Sequence, residues 1–106
     1  MAYVTFDFTP SGGDTQTSAA LTLSAGEAAR VRFTSFDGAA EAWVQITRNG
    51  VTSKAPIYRA GQPNDTLEQD DAAVFVAPAT NGDTVALVAR MNGSSASRVA
   101  GILETI

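Results

Sequence analysis

The chain has 106 residues, 7 of them Lys or Arg against 11 Asp or Glu, for a net charge of −4, and it contains neither cysteine nor histidine. That balance argues against nucleic acid and anionic membranes as partners, since both are bound by neutralising phosphates with basic residues. Without Cys or His, a disulfide frame, an ordinary zinc site and Ser-His-Asp chemistry are all excluded.

The length fits a single domain over 1–106, and 44% apolar residues can supply a core that buries roughly two-thirds of the unfolded surface. Alternation with period two runs through the sequence and no segment keeps a helical period. Tyr3 to Phe8 reads as the first strand, with Val4, Phe6 and Phe8 on one face. Pro10 to Asp14 is a loop, and Thr15 to Leu23 a second strand with Leu21 and Leu23 inward. After the turn Ser24-Ala25-Gly26-Glu27, Ala28 to Phe36 forms the third strand: Ala29, Val31 and Phe33 face in, while Arg30, Arg32 and Phe36 take the outward side. Asp37-Gly38 turns the chain into Glu41–Arg48, with Ala42, Val44 and Ile46 inward and Trp43 outward.

Asn49-Gly50 is the strongest hairpin signal, because both central residues of a type I′ turn need positive φ. Val51 to Arg59 returns as the fifth strand, carrying Tyr58, with Pro56 at an edge or bulge. Gly61 to Asp71 is a polar loop, Ala72 to Ala77 the sixth strand, and Asn81-Gly82 a turn. Thr84 to Met91 is the seventh strand, with Val85, Leu87 and Ala89 inward and Val88 outward. Asn92 to Ser95 turns, and Ser97 to Ile106 closes the chain, with Val99, Gly101 and Leu103 on one face and Ile102 on the other. About eight short strands at spacings of roughly ten residues predict an antiparallel β-sandwich or barrel.

Four runs in that order carry a resemblance: Leu21 to Val31, an apolar strand, glycine turn and next strand; Val44 to Gly50, a strand ending in Asn-Gly; Gly82 to Val88, a Gly-Asp-x-Val strand entry; and Ser97 to Ile106 as closing strand. Together they resemble the jelly-roll modules of the complement and tumour-necrosis-factor-like superfamily and of related trimeric phage proteins. The resemblance implies a jelly-roll sandwich and a homotrimer; an immunoglobulin-like sandwich is the alternative strand order. The small, acidic, Cys-free and His-free β composition is also similar to that of phage capsid decoration proteins. By that analogy the partner is the major capsid protein and the location is the virion surface.

Met1-Ala2-Tyr3 lacks the basic stretch and apolar run of a signal peptide, so synthesis in the host cytoplasm is expected. No cofactor and no enzyme activity are expected. The oxygen-rich run Asn64 to Asp71 has the donors a calcium site needs but not EF-hand spacing; a solvated acidic loop is the favoured reading, with calcium binding the alternative. The candidate contact residues are the outward Trp43, Phe36, Val88 and Ile102, the arginines Arg30 and Arg32, and Tyr58. Outward aromatics anchor partners, and arginine suits interfacial ion pairs. If both faces of the last two strands are apolar, a neighbouring subunit should cover one of them. A carbohydrate- or receptor-binding module is the competing function, with Trp43 as its stacking residue.

Overall fold

The computed structural model describes residues 2–9, 14–36, 40–55, 57–59, 62–63, 73–76, 82–91 and 98–106, with 57–59, 62–63, 73–76 and 91 described by backbone alone. Their strands are β1 (Tyr3–Phe8), β2 (Thr15–Thr17), β3 (Leu21–Thr22), β4 (Ala29–Phe36), β5 (Ala40–Arg48), β6 (Val51–Lys54), β7 (Ile57–Arg59), β8 (Gln62–Pro63), β9 (Ala73–Val76), β10 (Thr84–Met91) and β11 (Val99–Thr105). They form a six-stranded sheet in the order β1-β11-β4-β9-β7-β8 and a five-stranded sheet in the order β2-β10-β5-β6, with β3 also paired to β10. Every pairing is antiparallel.

This order decides between the two sandwiches. The chain folds back on itself as one long ribbon, whose successive rungs are β1 with β11, β2 and β3 with β10, β4 with β9, and β5 with β6. Alternate rungs fall in opposite sheets, which is a ribbon rolled up: the jelly roll, and not the immunoglobulin-like arrangement. Side chains of both sheets meet in a single core, among them Phe6, Val31, Val99 and Leu103 from one layer and Leu21, Val44, Ile46, Val85 and Leu87 from the other.

The hairpin at the far end of the ribbon is set by Asn49 at φ 52° and Gly50 at φ 80°, the positive pair expected of a type I′ turn. Gly26, at φ 79°, holds the third place of the turn that Glu27 N–H closes onto Ser24 O at 3.0 Å.

Two predicted strands are divided, each for a reason visible in its backbone. Thr15 to Leu23 splits into β2 and β3 because Ser18 enters the ladder with its side chain: Leu87 N–H donates to Ser18 Oγ at 2.9 Å, while Ser18 N–H donates to Leu87 O at 2.9 Å. Val51 to Arg59 splits into β6 and β7, which belong to different sheets. Ala55 still donates to Val44 O at 2.7 Å, and Pro56, expected at an edge or bulge, lies outside the described residues. The fifth strand is thus a corner of the roll. The short strand β8 falls inside the predicted loop Gly61 to Asp71, whereas Asn64 to Asp71 lies outside the described residues.

A bulge corrects the predicted parity of β4. Phe33 pairs with Gly101 and Ser35 with Ala100, so Thr34 is an extra residue and the alternation flips beyond it. Phe36 then lies opposite the fully buried Val99 and packs against the core, not outward. Its ring sits edge-on to Phe33 at 4.8 Å, and Phe33 sits edge-on to Phe6 at 5.9 Å. Gly101 makes room for this aromatic row. A Cβ there would lie 2.1 Å from Arg32 O and 3.0 Å from both Phe33 Cα and Phe6 Cζ.

Candidate functional site

The outward side of the six-stranded sheet is organised around one carboxylate. Glu104 lies on β11 between Tyr3 of β1 and Arg30 of β4, and the next outward row holds Thr5, Ile102 and Arg32. Although it points away from the core, Glu104 is only 4% exposed, because two guanidinium groups close over it. Arg30 donates from Nε at 3.0 Å and from Nη2 at 2.6 Å to Glu104 Oε1. Arg32 donates from Nε to the same oxygen at 2.8 Å, and its Nη2 stands 3.4 Å from Oε2. The hydrogen bonds from Arg30 and then Arg32 hold the Glu104 carboxyl below its ordinary value, outweighing the loss of hydration that pushes it up. The two arginine side chains keep 33% and 52% of their surface exposed, so the anion is covered while the cations still face out.

Ile102 is half-buried beside Arg32, and Tyr3 is 61% exposed at the end of the Glu104 row. Tyr58 belongs to the same row by register, since Arg30 pairs with Phe75 and Phe75 with Tyr58; its side chain lies outside the described residues. Further along this face, Arg98 grips Asp7 with two parallel bonds of 3.0 and 2.9 Å and lowers the Asp7 pKa.

The remaining candidates stand on the opposite side of the molecule. Trp43 on β5 and Val88 on β10 are cross-strand partners on the outer face of the five-stranded sheet, and Thr17 flanks Val88 on the other side. Val88 is only 2% exposed, so its outward position leaves almost no surface for a neighbour. The cover that was expected from another subunit comes from within the chain. Trp43 is half-buried, and Lys54 Nζ sits 4.9 Å from its ring centroid, reaching diagonally from the Gln45–Lys54 pair. Arg90 and Glu41 make an ion pair on the row beyond.

One more ion pair went unread in the sequence. Arg48 holds Asp83 through Nε at 3.0 Å and Nη2 at 2.7 Å, where the end of β5 meets the start of β10. Asp83 is 2% exposed, and its carbonyl accepts from Leu23 N–H at 2.8 Å. The pair depends on β5 lying beside β10, which no local signal at Gly82-Asp83 gives. Glu104 shares the outward parity of Ile102, but its link to Arg30 and Arg32 depends on β11 lying beside β4.

The seven candidate residues therefore do not make one surface. Arg30, Arg32 and Ile102 come together with Glu104 and Tyr3 on one face; Trp43 and Val88 share the other; Phe36 is in the core. No cluster of three or more Asp, Glu, His or Cys able to hold a metal occurs among the described residues. No protein-family model matches the chain, and no curated protein matches it. Among solved structures the chain is similar to Aeromonas hydrophila PliG, a periplasmic lysozyme inhibitor of g-type lysozyme, with a TM-score of 0.53 and 19% identity over 98% of this chain and 82% of that one. At that identity the likeness extends to the fold.

Proposed function

We propose that the chain is a structural protein of a virus particle, a decoration protein that docks on the outer face of a phage head shell and contacts the major capsid protein. The observation that carries this reading is the face built on Glu104. Arg30 and Arg32 are fixed in place by a buried carboxylate yet remain part-exposed, with Tyr3 and Ile102 beside them. Arginine and tyrosine next to an aliphatic residue is the composition that protein interfaces favour, and prior fixing of the side chains lowers the entropy cost of docking. The trimer implied by the jelly-roll resemblance belongs to the same reading.

The carbohydrate-binding alternative is less well supported. A sugar stacks on a free aromatic face, whereas Lys54 occupies one side of the half-buried Trp43 ring.

Co-sedimentation with purified, undecorated head shells tests the proposal. Saturable binding is expected, weakened at least about tenfold by Arg32→Ala, which leaves Glu104 paired with Arg30. A folded wild-type chain that stays in the supernatant at every shell concentration would sink it.

A further inference from the structure

The edges of the two sheets are unequally protected. β6 is four residues long and carries Lys54; β8 is two residues and carries Pro63; β2 and β3 have three and two residues. Short length, lysine and proline are the usual means of keeping an edge from pairing. β1 has none of them. It is six residues, Tyr-Val-Thr-Phe-Asp-Phe, in unbroken register with β11, and among the described residues no strand lies on its other side.

The direction of its free backbone groups follows from one hydrogen bond. Thr105 N–H donates to Ala2 O at 2.9 Å, so Ala2, and by alternation Val4, Phe6 and Phe8, turn their backbone groups toward β11. Tyr3, Thr5 and Asp7 turn theirs outward, unmatched among the described residues. Val4 and Phe8, half-buried and packed on the rim of the core, lie along the same open edge.

We infer that β1 pairs with β1 of a second copy of this chain, antiparallel about a two-fold axis at Thr5, and joins the two six-stranded sheets into one. The sequence of the edge is complementary to itself in this register. Thr5 meets Thr5, Tyr3 meets Asp7 and Asp7 meets Tyr3, each facing pair exchanging two N–H···O=C bonds. On the core side Val4 meets Phe6, so the pairing extends the apolar seam beyond the rim that Val4 now ends. The two Asp7 carboxylates stand four residues apart along the ladder, roughly 13 Å, beyond the screening length of about 8–10 Å in physiological salt. Each is already matched by its own Arg98. The register that would set Asp7 against Asp7 is disfavoured by like charge.

Sedimentation equilibrium and cysteine cross-linking test this without any shell, so the outcome is separate from that of the decoration proposal. The wild-type chain is expected to associate in pairs through this edge, as a dimer or, where the trimer of the decoration reading also forms, as a hexamer. Thr5→Lys, which sets two ammonium groups face to face on the axis, should weaken the dimer at least about tenfold, while Thr52→Lys on the protected β6 edge should not. The chain has no native cysteine. Thr5→Cys should therefore oxidise to a symmetric dimer, the facing Cα atoms of such a pair lying about 5.5 Å apart, within disulfide reach. Val51→Cys, 69% exposed on the β6 edge, should cross-link far more slowly. A wild-type monomer together with equal cross-linking rates overturns the inference, as does a dimer or trimer that Thr5→Lys leaves intact. If Thr5→Lys does not fold, the ratio of cross-linking rates decides.

Discussion

Val88 on the five-stranded sheet and Glu104 on the six-stranded sheet occupy comparable places. Each is an outward residue of a strand with neighbours on both sides, and each is almost wholly covered, at 2% and 4% exposure. The covers differ in chemistry. Val88 lies beside an indole that has an ammonium group over its ring; Glu104 lies beneath two guanidinium groups that it binds directly. The first cover is mainly apolar contact, indifferent to pH. The second is ionic and depends on the carboxylate staying charged. An outward apolar residue is thus no sign by itself of a missing neighbour, because one long side chain on the next strand can cover it. The face better suited to a partner is the one whose cover still presents charge to solvent.

The largest expected effect tests whether the ionic face owes its geometry to the backbone under it. Gly101 lies on the inner side of β11, between the Phe6 and Phe33 positions of the flanking strands, where Thr34 bulges. In Gly101→Ala the new methyl would collide with Arg32 O, a backbone atom, as well as with Phe6 and Phe33. A loss of about 3 kcal/mol or more is expected in urea unfolding, from overpacking that rotamer changes cannot relieve. A loss below about 1 kcal/mol would mean that the bulge yields easily and does not fix Arg32. Next comes the apolar cover. Trp43→Ala strips the side chain beside Val88 and should cost about 2 kcal/mol, less than a fully buried Trp because the ring is half-exposed. An unchanged midpoint would show that Thr17 and the rest of the row suffice.

Most of this architecture could be read from the chain, and the failures have local causes. Strict alternation located the rungs of the ribbon, and Asn49-Gly50 gave its far turn, so the rolled-up pairing follows once the strands are paired from the ends inward. Phe36 was misassigned because a bulge shifts parity by one residue without leaving a mark in its own strand; Gly101 on the partner strand was the signal. The split at Ser18 was hidden because a hydroxyl stood in for a backbone acceptor. Val51 to Arg59 reads as one strand, and only the three-dimensional path shows that its two halves, β6 and β7, belong to different sheets. The candidate surface was half legible. Parity alone places Arg30, Arg32 and Ile102 outward, whereas the burial of Val88 beside Trp43 and Thr17 depends on how far the flanking side chains reach, which alternation does not register. The acid that joins the arginines required knowing that β11 lies beside β4.

The ionic cover makes a prediction that the apolar one does not. The carboxyl of Glu104 is held below its ordinary value of 4.5 in the folded chain, so the folded state binds its proton less readily than the unfolded state. Its contribution to stability is therefore complete above that ordinary value and is lost as pH falls through it toward the lowered one. Thermal unfolding followed from about pH 7 down to pH 3 should show a falling midpoint for the wild type. The fall should be shallower for Glu104→Gln, which keeps the shape without the charge, and unaltered in steepness for Trp43→Ala. Asp7, lowered by Arg98, acts in the same direction, so some slope should persist in Glu104→Gln. Parallel curves for Glu104→Gln and wild type would remove the distinction between the two faces.

The smallest effect concerns the cation over the indole. Lys54 is exposed on an edge strand, where a cation–π contact contributes about 0.5–1 kcal/mol. A double-mutant cycle of Lys54→Ala with Trp43→Leu isolates that contact, because each change removes it while the leucine side chain still lies beside Val88. Coupling of about 0.5 kcal/mol would make Lys54 part of the cover, clamping the ring against the sheet. Zero coupling would mean that the ring lies flat by its own packing, and that Lys54 acts at this edge chiefly by keeping other strands away. In that case Lys54→Ala, although neutral for stability, should promote association through β6, which the same sedimentation measurements would reveal.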